Sequence, residues 1–130
     1  MRILLGIVAG VVVAFVCVFA IEMVGHTAYP PPPDIDLTKP ADVERLMATL
    51  PVAALAFVVA AWFIGALAGA WTANRIAKRA LAGWIVALLI ACGAVWTMTI
   101  IPHPGWMWGA GIGLPIAAAW LAQRLARVPV

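Results

Sequence analysis

Residues 3–24 read ILLGIVAGVVVAFVCVFAIEMV, and this stretch decides the class of fold. The apolar run from Ile3 to Ile21 is 19 residues long and ends at the first acid, Glu22. In a helix that rises about 1.5 Å per residue, about 20 residues cross the hydrocarbon core of a bilayer. The run is longer than the apolar part of a secretory signal peptide, which has about 7–15 residues. We therefore predict an uncleaved transmembrane helix.

The composition of the whole chain also indicates a membrane protein. Of its 130 residues, 66% are hydrophobic and 10% are charged, and the mean hydropathy is +1.10. A soluble domain has about 25% charged residues. Four stretches are long enough to span a bilayer, where the backbone must be helical to satisfy its polar groups: residues 3–24, 51–72, 81–100 and 106–123. We predict an all-α fold with a single domain, residues 1–130, that forms an integral membrane bundle of four transmembrane helices.

Residues 25–50 form the largest segment outside the predicted spans. The four consecutive prolines, Pro30 to Pro33, predict a stiff polyproline stretch that leads the chain away from the first span. After Pro40 the apolar residues recur with helical spacing and the charged residues take the other face. This pattern predicts a short amphipathic surface helix in the first outer loop, with Val43, Leu46, Met47 and Leu50 on its apolar face.

The distribution of Lys and Arg predicts the orientation of the chain. If the N-terminus is cytoplasmic, the outer side carries only Lys39 and Arg45, and all other basic residues lie on the inner side. The five acids then all lie outside. We predict a multi-pass protein of the bacterial inner membrane with both termini in the cytoplasm. The formal charge of +3 does not indicate a nucleic-acid partner, because the basic residues are spread over helix ends.

Three of the spans carry glycines at a spacing of four residues. The pairs are Gly6 with Gly10 and Gly65 with Gly69, and the last span has the row Gly105, Gly109 and Gly113. Small residues at this spacing let helix backbones approach closely in lipid. We predict close helix packing and a homo-oligomer, because one bundle of this size is small.

The candidate functional residues lie at the predicted outer interface. Glu22 and His26 are one helical turn apart, although Gly25 between them favours an earlier helix end, and His103 follows in the stiff connection IPHPGW, residues 101–106. A glutamate with two histidines is an ordinary ligand set for a divalent metal such as zinc. We predict a metal site formed by Glu22, His26 and His103. The alternatives are a shared site for a lipid headgroup and three independent interfacial residues.

The sequence leaves three classes of function open. The favoured one is a binding or interaction protein whose outer site holds the metal ion or a lipid headgroup. The second is a metal-dependent membrane enzyme with Glu22 as the general base. The third is an oligomeric transporter or channel subunit, which is disfavoured because the central part of each predicted span lacks charged and amide side chains. The chain contains no serine, which excludes a Ser-His-Asp arrangement, and we identify no catalytic residue.

Two short motifs resemble a known group of proteins. The first is E-x-x-G-H at residues 22–26, followed by prolines, and the second is P-H-P-G-W at residues 102–106. With these motifs the chain resembles an uncharacterised group of small bacterial four-span membrane proteins over nearly its whole length. The resemblance implies four spans and two outer loops, and it implies no activity.

Overall fold

A computed structural model describes residues 1–129 as an assembly of five helices without a strand. The helices are α1 (Arg2–Ala28), α2 (Pro40–Thr49), α3 (Val52–Ala77), α4 (Ala80–Ile100) and α5 (Gly105–Ala126). All except α2 are long and apolar enough to cross a membrane. The predicted fold class, an all-α bundle of four membrane-spanning helices with a short helix between the first two, is confirmed. The chain is a multi-pass membrane protein.

Two helices extend beyond the predicted spans. The first helix continues past Gly25 to Ala28, and Gly25 is a packing residue: a Cβ added there would lie 2.9 Å from the Cβ of Phe57. The α3 helix extends five residues beyond residue 72, where the predicted span ends, to Ala77. Its polar last turn stays helical because Ala73 and Ala77 are buried in the bundle.

The α3 helix is the centre of the bundle. It contacts α1, α4 and α5, whereas α1 and α5 do not contact each other anywhere in residues 1–129. Successive spans alternate in direction. One side of the bundle therefore carries four helix ends: the start of α1, the end of α3, the start of α4 and the end of α5. We call this side the basic end, and its charged residues are Arg2, Arg75, Lys78, Arg79, Arg124 and Arg127. The opposite side, with α2 and the α4–α5 connection, is the acidic end.

The contact between α1 and α3 is a contact of backbones. A Cβ added to Gly10 would lie 2.6 Å from the carbonyl oxygen of Gly69, and one added to Gly69 would lie 2.6 Å from that of Gly10. Neither glycine can be larger without moving a helix, which confirms the predicted role of these pairs in close packing. The rest of α1 exposes most of its leucine, valine and phenylalanine side chains.

A buried amide joins α3 and α4 at the basic end. The side chain of Asn74 is fully buried, and its Oδ1 accepts a hydrogen bond of 2.8 Å from the backbone N–H of Gly83. Its Nδ2 has no partner in residues 1–129. The backbone N–H of Ala80 at the start of α4 donates to the carbonyl oxygen of Pro129 at 3.1 Å. The start of α4 is therefore held both by α3 and by the chain after α5.

One ion pair and one hydrogen bond link the loop before α2 to that helix. Arg45 lies 3.2 Å from a carboxylate oxygen of Asp34 in the loop, and the backbone N–H of Asp36 donates to the Asp42 carboxylate at 3.0 Å. On the other face of α2 and just after it, Met47 and Leu50 pack against the hydrophobic core of the bundle. The amphipathic pattern thus puts α2 against the end of the bundle with its charges outward.

Candidate functional site

Glu22 and His26 lie at the acidic end of α1, one turn apart on a helix that is intact between them. The Nδ1 of His26 is 3.0 Å from the carbonyl oxygen of Glu22. A carbonyl oxygen only accepts hydrogen bonds, so Nδ1–H is the donor, and in the neutral ring Nε2 carries the lone pair. The imidazole is exposed and Glu22 is half-buried. The pair thus combines an anionic oxygen donor with an oriented, accessible nitrogen donor.

His103 is held in the same tautomer by a different element. It lies between Pro102 and Pro104 in the α4–α5 connection, and its Nδ1–H donates to the carbonyl oxygen of Ile101 at 2.6 Å. Its half-buried ring packs against Trp62 of α3, with the ring centroids 6.4 Å apart. Trp62 is 5% exposed, so it is a packing residue of the bundle.

The structure brings together two of the three predicted site residues. Glu22 and His26 share a turn of α1, whereas His103 packs against Trp62 of α3. In residues 1–129 of a single chain, no three His, Cys, Asp or Glu side chains form a group that could hold a metal ion. The metal site of Glu22, His26 and His103 remains a prediction. The part of it that the structure contains is the placement of Glu22 and His26 on one turn of α1.

The electrostatics of the acidic end favour cations. All five acids of the chain belong to α1, α2 or the loop between them. The hydroxyl and the backbone N–H of Thr38 donate to the Asp36 carboxylate at 2.6 and 3.0 Å, and these bonds hold the pKa of Asp36 below its ordinary value of 3.8. The Asp36 carboxylate therefore keeps its negative charge to lower pH than an ordinary aspartate does.

Asn74 was missed by the sequence analysis, since it lies two residues beyond the predicted end of its span. A signal for it was present in the sequence. The small residues Gly65, Gly69, Ala73 and Ala77 recur every four positions, and this row continues past residue 72. A helix extended on that basis places Asn74 in α3 rather than in a turn.

Comparison with known proteins yields no match: no family model fits the chain, and neither a curated protein nor a solved structure is significantly similar to it. The resemblance of the E-x-x-G-H and P-H-P-G-W motifs to small bacterial four-span proteins therefore remains a prediction.

Proposed function

We propose that this chain is a membrane-embedded binding and interaction protein that holds a divalent cation such as zinc at its acidic end. Glu22 and His26 are the first two ligands, and His103 is the third, supplied by the same chain or by a second copy. By the positive-inside rule, the basic end with both termini faces the cytoplasm of a bacterial inner membrane. The site then faces outward.

The observation that carries this proposal is that both histidines use Nδ1–H in a hydrogen bond to the backbone. Each ring donates Nδ1–H to a backbone carbonyl oxygen, Glu22 for His26 and Ile101 for His103. Histidines that bind metals characteristically donate the second ring N–H to a carbonyl or carboxylate oxygen, which orients the ring and raises the basicity of the other nitrogen. Both imidazoles are thus prepared to bind through Nε2.

Transport and enzymatic catalysis have less support. The interior of the described bundle is filled mainly by alanines, and Asn74 is its one fully buried polar side chain. A path for a hydrophilic solute needs polar groups along its length. Neither a polar path nor an acid–base pair besides Glu22 and His26 is found in the described part of the spans, so we favour binding.

Zinc titration of the purified protein in detergent at pH 7.5 tests the site. We expect Glu22→Ala and His26→Ala each to weaken zinc binding by about tenfold or more, because each removes a direct ligand. Binding should also weaken at acidic pH, because the ligands of a metal ion must be deprotonated. His103→Ala should have a similar effect if His103 is the third ligand, and calorimetry measures all three.

Glu44→Ala is the matched control for this experiment. Glu44 is an exposed acid of α2 at the same end, so its removal changes the local charge without removing a proposed ligand. It should leave the zinc affinity within about twofold of wild type. Wild-type protein that takes up no zinc at saturation, or an effect of Glu44→Ala as large as that of Glu22→Ala, would refute the cation site.

We further propose that the chain forms a homo-oligomer through α5. A Cβ added to Gly105, Gly109 or Gly113 would meet no atom within 4 Å, whereas the glycines of the α1–α3 pair are all in contact. In lipid, a row of this kind favours association with another helix. The chain already shows such an association between α1 and α3.

Gly109→Leu should shift the oligomer to monomer, as measured by light scattering on detergent-solubilised protein. The bundle should stay folded because the new side chain points into open space. Gly93→Leu on α4 is the control, since Gly93 is equally open but belongs to no such row. If wild type is already a monomer, or if both variants keep its mass, α5 is not the interface.

A further inference from the structure

A cleft of about 330 Å³ opens at the basic end between the start of α1 and the start of α4. Its walls are formed by Ile3, Arg79, Ala80, Leu81 and Trp84. The indole N–H of Trp84 donates to the side-chain oxygen of Gln123 on α5 at 3.1 Å, which fixes one wall. Arg79 is exposed and is the only charged residue of the five. The cleft thus presents one cation above apolar walls.

A second cleft, of about 380 Å³, adjoins the first at Leu81 and Trp84 and continues along α4 into the apolar part of the bundle. Its remaining walls are Ile85, Ala87, Leu88, Ala91, Ile112 and Ile116. Every one of these side chains is apolar, and they come from the facing sides of α4 and α5. The two clefts together form a groove with a guanidinium group at one end and a hydrocarbon lining along the rest.

Among residues 1–129, the charged side chains around this groove are all positive. After Glu44 the sequence contains no acidic residue, and the ion pairs found in residues 1–129 all lie at the acidic end. Two other arginines of the basic end stack on tryptophans, Arg75 on Trp71 and Arg124 on Trp120. Arg79 has neither a carboxylate nor a ring partner among the described residues. Its guanidinium is available to an external anion.

We propose that the groove binds one anionic phospholipid. The phosphate pairs with Arg79, which offers a planar array of donors that matches phosphate oxygens, and an acyl chain lies along α4 in the apolar cleft. The position of Arg79 as the N-cap of α4 adds the positive end of the helix dipole to the same charge. A zwitterionic headgroup is disfavoured because it brings its own cation towards a face that carries only basic side chains. The headgroup part of this site lies at the opposite end of the molecule from Glu22 and His26, so it is independent of the proposed cation site. The apolar part uses Ile112 and Ile116, which share a face of α5 with Gly109 and Gly113, so the lipid and the proposed α5 interface are alternative occupants of that face.

Native mass spectrometry of the protein in micelles that contain equal amounts of phosphatidylglycerol and phosphatidylcholine tests the proposal. Wild type should retain one phosphatidylglycerol per chain, with a preference of about tenfold over phosphatidylcholine. Arg79→Gln should reduce this preference to about onefold. Leu88→Trp should lower the retention of both lipids, because Leu88 lines the apolar cleft and is 63% exposed, so the larger ring can enter the cleft without disturbing the core.

Arg127→Gln is the matched control, since it removes one charge from the same end outside both clefts. It should keep the preference of wild type. The proposal is overturned if wild type retains both lipids equally, or if Arg127→Gln removes the preference as fully as Arg79→Gln does. It is also overturned if Leu88→Trp leaves lipid retention unchanged and alters the oligomer mass instead, because a second chain would then fill the groove.

Discussion

Gly10→Val is expected to lower the free energy of unfolding by about 3 kcal/mol, the upper range for overpacking. The new Cβ would lie 2.6 Å from the carbonyl oxygen of Gly69, 2.8 Å from the Cβ of Ala73 and 3.0 Å from a methyl group of Val86. The nearest obstacle is the backbone of the central helix, which cannot rotate away as a side chain can. Valine adds two further methyl groups, so α1 must move off α3. Unfolding by sodium dodecyl sulfate in mixed micelles measures the loss.

Gly93→Val separates this steric effect from the general effect of valine in place of a helical glycine. A Cβ at Gly93 meets no atom within 4 Å, and the residue lies inside α4 as Gly10 lies inside α1. The control should change the free energy of unfolding by no more than about 0.5 kcal/mol. Equal losses for both variants would show that the Gly10–Gly69 contact is not a tight one in the membrane.

Asn74→Asp is expected to lower the free energy of unfolding by about 3–5 kcal/mol at pH 7.5, the range for an uncompensated buried charge. The aspartate keeps an oxygen that accepts from the N–H of Gly83, and it loses only the Nδ2 donor, which has no partner in residues 1–129. The hydrogen bonds alone therefore predict no loss of stability. The burial of the side chain, which is 0% exposed, predicts a large loss of stability.

Gln123→Glu is the matched control for the charge. It is also a change from amide to carboxylate at the basic end, but Gln123 is half-buried and its oxygen already accepts from Trp84. The new carboxylate can reach water, so the expected loss is below about 1 kcal/mol. An Asn74→Asp protein as stable as wild type would mean that water reaches the α3–α4 contact, and the account of Asn74 as a dry core residue would fail.

Most of the fold could be predicted from the sequence because membrane spans are set by local composition. Four apolar stretches, a proline run and an amphipathic repeat predict four spans and α2, and each of these elements is present. At the ends of α1 and α3 the helices extend beyond the predicted spans. Gly25 and the polar residues after Thr72 look like stop signals, but both lie in helices whose last turns are packed against a neighbour. Tertiary packing overrides the local signal there.

Less of the candidate site could be predicted, because it depends on how the helices are rotated. The spacing of Glu22 and His26 predicts a shared helix face, and the intact turn of α1 fits this. Whether His103 joins them depends on the relative placement of α1, α3 and the α4–α5 connection, which no local pattern encodes. The hydrogen bonds that the two histidines donate through Nδ1–H depend on the local backbone geometry, so no sequence pattern predicts them either.

The Gly10–Gly69 contact also bears on the order in which the protein is made. Gly69 follows Gly10 by about 60 residues, so at a synthesis rate of about 5–20 residues per second α1 is complete several seconds before its partner exists. During that interval α1 stands alone in lipid, and its exposed leucine, valine and phenylalanine side chains are suited to that solvent. The contact between Gly10 and Gly69 can form only after α3 has entered the membrane. A nascent chain that ends before Gly69 would have a first helix whose glycines lack their partner.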